Sequence, residues 1–258
     1  MKHVLILIAA HCQPEVLKYT LGTWLETYDG SYDASVCVSL SDTFEDICER
    51  THEFLEMAPP LDIIRVSPSP KPNDRMLDWY WSSVHANCLQ HLMLHCRDIP
   101  FTHMAILDHD LEFKSDFIRW SIDQDADMVC SLFRDRQSLL TLGNYVWAPK
   151  VSVWNTVISR KLFDKILETP DIVMPSIEGL RLVYDTFAKV FEFATEIWKM
   201  DVRVFPESKI DSLVKHLWSL SFSFGQAQEG YEERFRKLGQ DYSMYFPNGI
   251  RYLLSKLE

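Results

Sequence analysis

Two aspartates stand at the point where a largely apolar run of the chain ends. The run His103–Leu107 predicts a buried strand, and Asp108 and Asp110 follow it at spacing i, i+2. Alternate residues of a strand share a face. Because the chain can also bend where a strand ends, both carboxylates can reach one cation. Carboxylate oxygens are hard ligands, of the kind that Mg²⁺ and Mn²⁺ take together with the phosphates of a substrate. The pattern predicts a divalent-cation site that neutralises charge on a diphosphate leaving group.

The same spacing occurs twice more in the chain, so spacing alone does not identify the site. Asp123-Gln124-Asp125 and Asp125-Ala126-Asp127 overlap between a helical stretch and the next strand. Such pairs arise by chance in acidic proteins, and this position is typical of a solvated loop. Asp108 and Asp110 differ because they stand at the end of a buried strand. We therefore expect those two to form the site and the other motifs to lie on the surface.

Short apolar runs alternate with helical patterns through the first half of the chain. Continuous apolar runs are typical of strands that are buried on both faces, as in parallel sheets. We therefore predict an α/β fold with a mainly parallel central sheet flanked by helices. The predicted strands are Val4–Ala10, Ala34–Leu40, Asp62–Val66, His103–Leu107, Asp127–Phe133 and Val202–Phe205. The predicted helices in the first half are Pro14–Thr27, Asp42–Met57 and Asp78–Cys96.

The second half of the chain has a less regular pattern. Val151–Trp154 alternates and predicts a strand, Arg160–Leu167 predicts a short helix, and Ile177–Trp198 predicts a long helix. No internal repeat and no hinge linker interrupts the sequence. We therefore predict one domain over residues 1–258, with a variable C-terminal half.

The composition limits the classes of function. The chain has 26 Lys plus Arg against 37 Asp plus Glu, a formal net charge of −11, which argues against a broad basic face for nucleic acid. Its eight glycines form no glycine-rich phosphate loop, and neither G-x-G-x-x-G nor G-x-x-x-x-G-K is present. No run reaches the roughly 18 apolar residues of a membrane helix. The six cysteines form no C-x-x-C pair, which favours reduced thiols and a cytoplasmic protein.

Over residues 1–133 the chain resembles the glycosyltransferases of the GT-A fold. The resemblance rests on the strand Val4–Ala10, on the acidic end of the second strand at Asp42, and on Ile106–Asp110, which carries a D-x-D motif after the fourth strand. It implies that residues 1–133 bind a nucleotide sugar. Residues 134–258 would then form the acceptor side.

The resemblance also implies roles for individual side chains. Asp108 and Asp110 would hold Mn²⁺ or Mg²⁺ together with the diphosphate, and His216 matches a third metal ligand that many members carry near the C-terminus. The loop after the first strand and the acidic end of the second would bind the nucleoside. The expected contacts of the donor are Ala10, His11, Asp42, Arg75, Asp108 and Asn155.

The stereochemical outcome of the transfer stays open. Trp154–Ile158 resembles the segment that lines the sugar and acceptor pocket of some retaining members, but Val157 departs from the small residue and glycine that usually follow the asparagine. Inverting members place a carboxylate base near the N-terminus of a helix beyond the acceptor site. Glu178 and Asp185 are the candidates for that base.

The reaction implied by the resemblance is sugar transfer from a nucleotide-sugar donor, such as a UDP-sugar, to a hydroxyl group. The acceptor would be a glycan, a lipid-linked sugar or a small molecule. A modified DNA base is an alternative acceptor, since Arg134, Arg136 and Lys150 could form a local basic rim. Two other functions stay open: a nucleotidyltransferase or phosphohydrolase on a similar sheet, and a non-catalytic protein that binds sugar nucleotides.

A second set of possible metal ligands lies within the predicted helix Asp78–Cys96. His91 and His95 are four residues apart and share a face, so a zinc site is conceivable there. An apolar stripe on the same helix favours core packing instead. The possible ligands are His85, Cys88, His91 and His95.

Overall fold

A computed structural model of the chain describes residues 2–10, 14–41, 61–66, 78–131, 155–178, 181–184 and 186–216. Within these ranges the strands are β1 (His3–Ala10), β2 (Asp33–Ser41), β3 (Leu61–Val66), β4 (His103–Asp108), β5 (Leu111–Phe113), β6 (Met128–Ser131), β7 (Asn155–Ser159), β8 (Ser176–Glu178), β9 (Arg181–Tyr184), β10 (Val202–Phe205) and β11 (Val214–His216). The helices are α1 (Pro14–Thr27), α2 (Asp78–His95), α3 (Phe117–Ile122), α4 (Arg160–Leu167), α5 (Ala188–Glu192) and α6 (Glu207–Asp211), with a π-helical turn at Phe193–Ile197.

Seven of these strands form one sheet, in the order β10-β6-β7-β4-β1-β2-β3. β1 pairs in parallel with β2 and β4, β2 pairs in parallel with β3, and β10 pairs in parallel with β6. The exception is β7, which lies antiparallel between β4 and β6. β4 and β6 therefore run in the same direction, because both are antiparallel to the strand between them.

Helices cover both faces of this sheet, and the alternation of side chains along β1 shows how. Val4, Ile6 and Ile8 pack into a cluster that contains apolar residues of α1 and α3. Leu5 and Leu7 point the other way, into a cluster with residues of α2 and α4. A strand that is apolar on both faces can be buried only between two layers. The predicted α/β fold, with a mainly parallel sheet flanked by helices, is confirmed.

Two of the helices begin at side chains that cap them. Asp116 accepts a hydrogen bond from the backbone N–H of Arg119 at 2.8 Å, and α3 starts at the next residue. Ser159 does the same for α4, where it accepts from Leu162 N–H at 3.2 Å. Such caps satisfy backbone donors that have no partner within the helix. No helix in the described ranges has both the length and the hydropathy that a bilayer crossing requires.

Most predicted elements agree with the structure, and one is wrong. The long helix over Ile177–Trp198 does not form: β8 and β9 pair antiparallel there, and only short helical turns follow. Phe187 has a φ of 66°, a left-handed conformation that a continuous right-handed helix cannot contain. The predicted helix Asp42–Met57 and the predicted strand Val151–Trp154 lie outside the described residues.

Candidate metal centre

The centre forms where β4 ends in the middle of the sheet. Asp108 is the last residue of β4 and is the register partner of Ala9 in β1. The chain then turns through His109 and Asp110 into the short strand β5. The side chains of His109 and Asp110 are completely buried, so this turn packs into the protein rather than projecting from it.

β11 brings the third side chain to the turn. It pairs antiparallel with β5, and this register places His216 opposite Leu111, the residue that follows Asp110. His216 Nε2 lies 3.1 Å from Asp108 Oδ2 and 3.1 Å from Asp110 Oδ1. One ligand atom from each of the three residues lies within 4.8 Å of the other two. The structure therefore joins side chains that are 108 positions apart in the sequence.

The charges of the three groups depend on one another. Burial alone would lower the pKa of His216, but the carboxylates of Asp110 and Asp108 outweigh burial and raise that pKa to about 9. Burial alone would raise the pKa of Asp108, but the imidazoles of His85, His216 and His109 outweigh it and hold that pKa far below its ordinary value. Two adjacent carboxylates stay ionised together more readily when a positive charge lies beside them. Protonated His216 can supply that charge without a metal, and a bound cation would replace it.

The donor set fits a hard divalent cation. It offers two carboxylates and one imidazole, which are ligands that Mn²⁺ and Mg²⁺ accept, although imidazole also suits zinc. Asp108 Oδ1 is buried and has no hydrogen-bond partner among the described residues. Its neighbour His85 Nδ1 is 3.6 Å away, which is too far for a hydrogen bond. A carboxylate oxygen in that position is suited to a cation.

His85 is a neighbour of the centre that the sequence suggested only as a zinc ligand. It lies on α2 and directs its ring at Asp108. His91 and His95 of the same helix are exposed. Among the described residues, the one group of three or more potential metal ligands is Asp108, Asp110 and His216, so the structure favours the turn after β4 over a zinc site on α2.

Thr20 of α1 holds the turn in place and Thr23 holds the strand that follows it, and the sequence analysis missed both. Thr20 bonds to the backbone on both sides of Asp110, and Thr23 accepts a hydrogen bond from Phe113 N–H at 3.1 Å. Both lie among the apolar residues of α1 and are buried. The available signal was two hydroxyls three residues apart on the face of a helix that packs on the core.

Asn155 lies at the start of β7, opposite Leu107, and is completely buried. Its carboxamide NH₂ donates to the Ser131 hydroxyl of β6 at 3.1 Å. Because Leu107 directly precedes Asp108, this register places Asn155 at the same end of the sheet as Asp108. Its role as a contact of the donor stays a prediction.

The remaining predicted site residues are described only in part. Ala10 is the last residue of β1 and is buried. Glu178 ends β8 in register with Arg181. The others, which are His11, Asp42, Arg75 and Asp185, lie outside the described residues. The roles assigned to all of them stay predictions.

No protein-family model matches the chain, and no curated protein matches it significantly in sequence. Solved structures do resemble it. One is a mannosyltransferase from Pyrobaculum calidifontis in complex with GDP-Man and Mn²⁺, with a TM-score of 0.48 and 14% identity over 79% of this chain and 55% of that chain. This chain thus spans about half the length of that enzyme.

Two further matches are equally distant in sequence. A glucosyl-3-phosphoglycerate synthase from Mycobacterium tuberculosis, in complex with Mn²⁺, UDP and phosphoglyceric acid, has a TM-score of 0.45 and 12% identity over 80% of this chain and 68% of that chain. HddC from Yersinia pseudotuberculosis has a TM-score of 0.40 and 15% identity over 80% of this chain and 90% of that chain. At these TM-scores and identities the similarity does not carry the substrates of these proteins to this chain.

Proposed function

We propose that this protein is a metal-dependent glycosyltransferase that moves a sugar from a nucleotide-sugar donor to a hydroxyl acceptor. The observation that carries the proposal is the grouping of Asp108, Asp110 and His216 within 4.8 Å at the end of the central strand β4. Ligands of open α/β sheets bind in the crevice outside the carboxyl ends of the strands. A donor diphosphate in that crevice would meet these three side chains.

The three side chains have separate tasks in this proposal. Asp108 and Asp110 would each give a carboxylate oxygen to Mn²⁺ or Mg²⁺, and His216 would give an imidazole nitrogen. The bound cation offsets the negative charge that grows on the diphosphate as the sugar leaves. Burial of Asp110 and His216 fixes their geometry in advance, so little reorganisation opposes binding.

The donor would extend from the centre towards β1. Ala9 is the register partner of Asp108, so Ala10 lies close to the proposed cation. This position supports a nucleoside contact at Ala10. His11, Asp42 and Arg75 are further contacts that we propose from the sequence. A UDP-sugar is the donor to test first. The net charge of −11 favours a glycan, a lipid-linked sugar or a small molecule over nucleic acid as the acceptor.

A thermal-shift screen of UDP- and GDP-sugars, with Mn²⁺ and with EDTA, tests the proposal. A donor that binds only the folded protein raises its melting temperature, and we expect that rise only when Mn²⁺ is present. Mass spectrometry of the products then identifies the reaction. A released nucleoside diphosphate and a glycosylated acceptor support glycosyl transfer. Pyrophosphate or free phosphate would support a nucleotidyltransferase or phosphohydrolase, and metal-independent binding would contradict the proposed centre.

The proposed base is Glu178 or Asp185, and the two serve as controls for each other. Glu178→Gln and Asp185→Asn remove the charge with little change in shape. We expect the variant that lacks the base to lose turnover while it still binds the donor, because a base acts on the acceptor hydroxyl. The other variant should keep both. Full turnover in both variants would remove the two residues from the mechanism.

A further inference from the structure

The short strand β5 is held on two edges by different partners. Along one edge it pairs with β11, which carries His216. Along the other edge it packs against α1, where two threonine hydroxyls accept hydrogen bonds from its backbone N–H groups. Thr20 Oγ1 accepts from Leu111 N–H at 2.8 Å, and Thr23 Oγ1 accepts from Phe113 N–H at 3.1 Å. Residues i and i+2 of a strand face one side, and residues i and i+3 of a helix are neighbours, so the two spacings match.

Thr20 also donates a hydrogen bond to the turn before β5, which Thr23 does not. Its hydroxyl lies 2.6 Å from the carbonyl oxygen of His109 and 3.0 Å from that of Leu111. The single hydroxyl proton is best donated to the nearer acceptor, His109. The His109 carbonyl and the Leu111 N–H belong to the two peptide units that flank Asp110. One hydroxyl therefore fixes the backbone on both sides of a candidate metal ligand.

The bonds of Thr23 lie elsewhere. Besides accepting from Phe113, Thr23 donates to the Thr20 carbonyl of its own helix at 3.1 Å. Phe113 is the register partner of Val214 and adjoins no candidate ligand. The two threonines thus share a helix, a chemistry and a buried setting, and they differ in whether their bonds flank Asp110.

Both threonines stabilise β5, because without their hydroxyls the N–H groups of Leu111 and Phe113 would lose these acceptors. What distinguishes Thr20 is where its bonds lie, since valine has nearly the same shape and would otherwise fit among Leu17, Leu21 and Trp24. A buried hydroxyl costs free energy unless it is hydrogen-bonded. The bonds of Thr20 run to the turn rather than back along its own helix. The imidazole of His109 also links the turn to β1, because its Nδ1 lies 3.3 Å from the Ala9 carbonyl.

We propose that Thr20 is a positioning residue of the metal centre: its hydroxyl fixes the two peptide units that flank Asp110 and so sets the separation of the three ligand atoms. Leu111, which it also holds, is the register partner of His216. The hydrogen bond from Leu111 N–H to Thr20 therefore also holds the residue of β5 that lies opposite the third ligand. This inference rests on the proposed function, since it assumes that the three side chains bind a cation.

The test is Mn²⁺ affinity, measured by titration calorimetry on the full chain, for Thr20→Val, Thr23→Val and Thr20→Ser. Partners that orient metal ligands typically contribute 10–100-fold to affinity, so we expect Thr20→Val to bind Mn²⁺ about 10-fold more weakly. Thr23→Val should bind as the wild type does, although it also loses a buried hydrogen bond. Thr20→Ser keeps the hydroxyl and should recover most of the affinity.

The electron paramagnetic resonance spectrum of bound Mn²⁺ gives a second readout. Thr20→Val should broaden it, because the ligands are less uniformly placed, whereas Thr23→Val should not. Equal Mn²⁺ affinities for the two valine variants, whether lowered or unchanged, would overturn the inference. If Thr20→Val does not fold, Thr20→Ser and Thr20→Ala replace it, and equal affinities for those two would overturn it in the same way. If the wild type binds neither Mn²⁺ nor Mg²⁺, the proposed function fails and takes this inference with it.

Discussion

Two turns of this chain carry the same aspartate spacing, yet they have different environments. Asp108 and Asp110 lie beside His216, with Asp110 completely buried. Asp123 and Asp125 are exposed. Asp123 forms an ion pair with Arg119 of its own helix at 2.8 Å, and Asp125 has a φ of 51°, which Asp tolerates better than most residues. The short motif is thus compatible with either a site or a solvated loop.

The difference lies in where each turn meets the sheet. Asp108 ends β4, whereas Asp127 immediately precedes β6. Because β4 and β6 run in the same direction, the first turn lies at the carboxyl ends of these strands and the second at their amino ends. The carboxyl ends of the strands form the crevice where ligands bind, and the first turn is at that edge. Carboxylates at the other edge are left to stabilise the fold.

The carboxylate of Asp127 stabilises the fold through hydrogen bonds. Its carboxylate accepts hydrogen bonds from the Lys161 ammonium at 3.0 Å, from the Ser159 hydroxyl at 3.0 Å and from the Asp201 backbone N–H at 3.1 Å. These partners lie on α4, at the end of β7 and just before β10. The carboxylate therefore joins three elements at the edge of the sheet opposite to the candidate centre.

The largest expected effect separates the two turns by metal affinity. Asp110→Asn removes a candidate ligand, and Asp125→Asn makes the same change at the second aspartate of the exposed motif. Outer partners of metal ligands alone contribute 10–100-fold, so we expect Asp110→Asn to weaken Mn²⁺ binding by at least about 100-fold. Asp125→Asn should bind as the wild type does. Equal Mn²⁺ affinities in titration calorimetry would show that the buried turn is not the metal site.

The next largest effect is expected at the turn before β6, and it concerns stability rather than metal binding. Asp127→Ala leaves three donors without their acceptor, but these donors are exposed or only partly buried and can bond to water. We therefore expect a loss of about 1 kcal/mol in the free energy of unfolding, the typical net contribution of a hydrogen bond. Urea denaturation monitored by circular dichroism measures the loss. The Mn²⁺ affinity should not change, because Asp127 lies at the opposite edge of the sheet. A variant that keeps its stability but loses Mn²⁺ binding would contradict both assignments.

The contribution of Asp127 should depend on pH in a defined direction. Burial alone would raise the pKa of Asp127, but the hydrogen bonds from Lys161, Asp201 and Ser159 outweigh burial and lower the pKa below its ordinary value of 3.8. A lowered pKa in the folded state contributes stability above the unfolded pKa, and that contribution is lost as the pH falls through the folded value.

We therefore expect the stability difference between the wild type and Asp127→Asn to be constant near neutral pH and to shrink once the pH falls below about 4. Urea denaturation at a series of pH values measures it. A difference for Asp127→Asn that grows towards low pH would mean that its pKa is raised rather than lowered.

The smallest effect is expected at Asp123. Its ion pair with Arg119 joins two exposed side chains one helical turn apart, and such surface pairs contribute little because water and salt screen them. Asp123→Ala should leave both the melting temperature and the Mn²⁺ affinity within experimental error. A clear loss of either would show that the exposed motif has a role that its environment does not reveal.

Local pattern was sufficient for much of the fold. Residues Val4–Ala10 are apolar without interruption because β1 is covered on both faces. The helix Arg160–Leu167 agrees with its predicted bounds, since a serine cap and an apolar stripe are both local signals. The prediction of a helix over residues 177–198 was wrong because the spacing of the apolar residues there suits a helix and a strand alike. The pairing of β8 with β9 decided between them, and pairing partners cannot be read from one segment.

The sequence by itself determined the alternation of strands and helices and the presence of two carboxylates at the end of a buried strand, because side-chain periodicity and chain order are local properties. Only the tertiary structure decided which of the D-x-D motifs meets a histidine, since that depends on the direction of β4 and on the pairing of β5 with β11. It also decided that Thr20, from a helix near the start of the chain, holds the backbone on both sides of Asp110. Contacts between distant segments form only when the sheet and its helices pack.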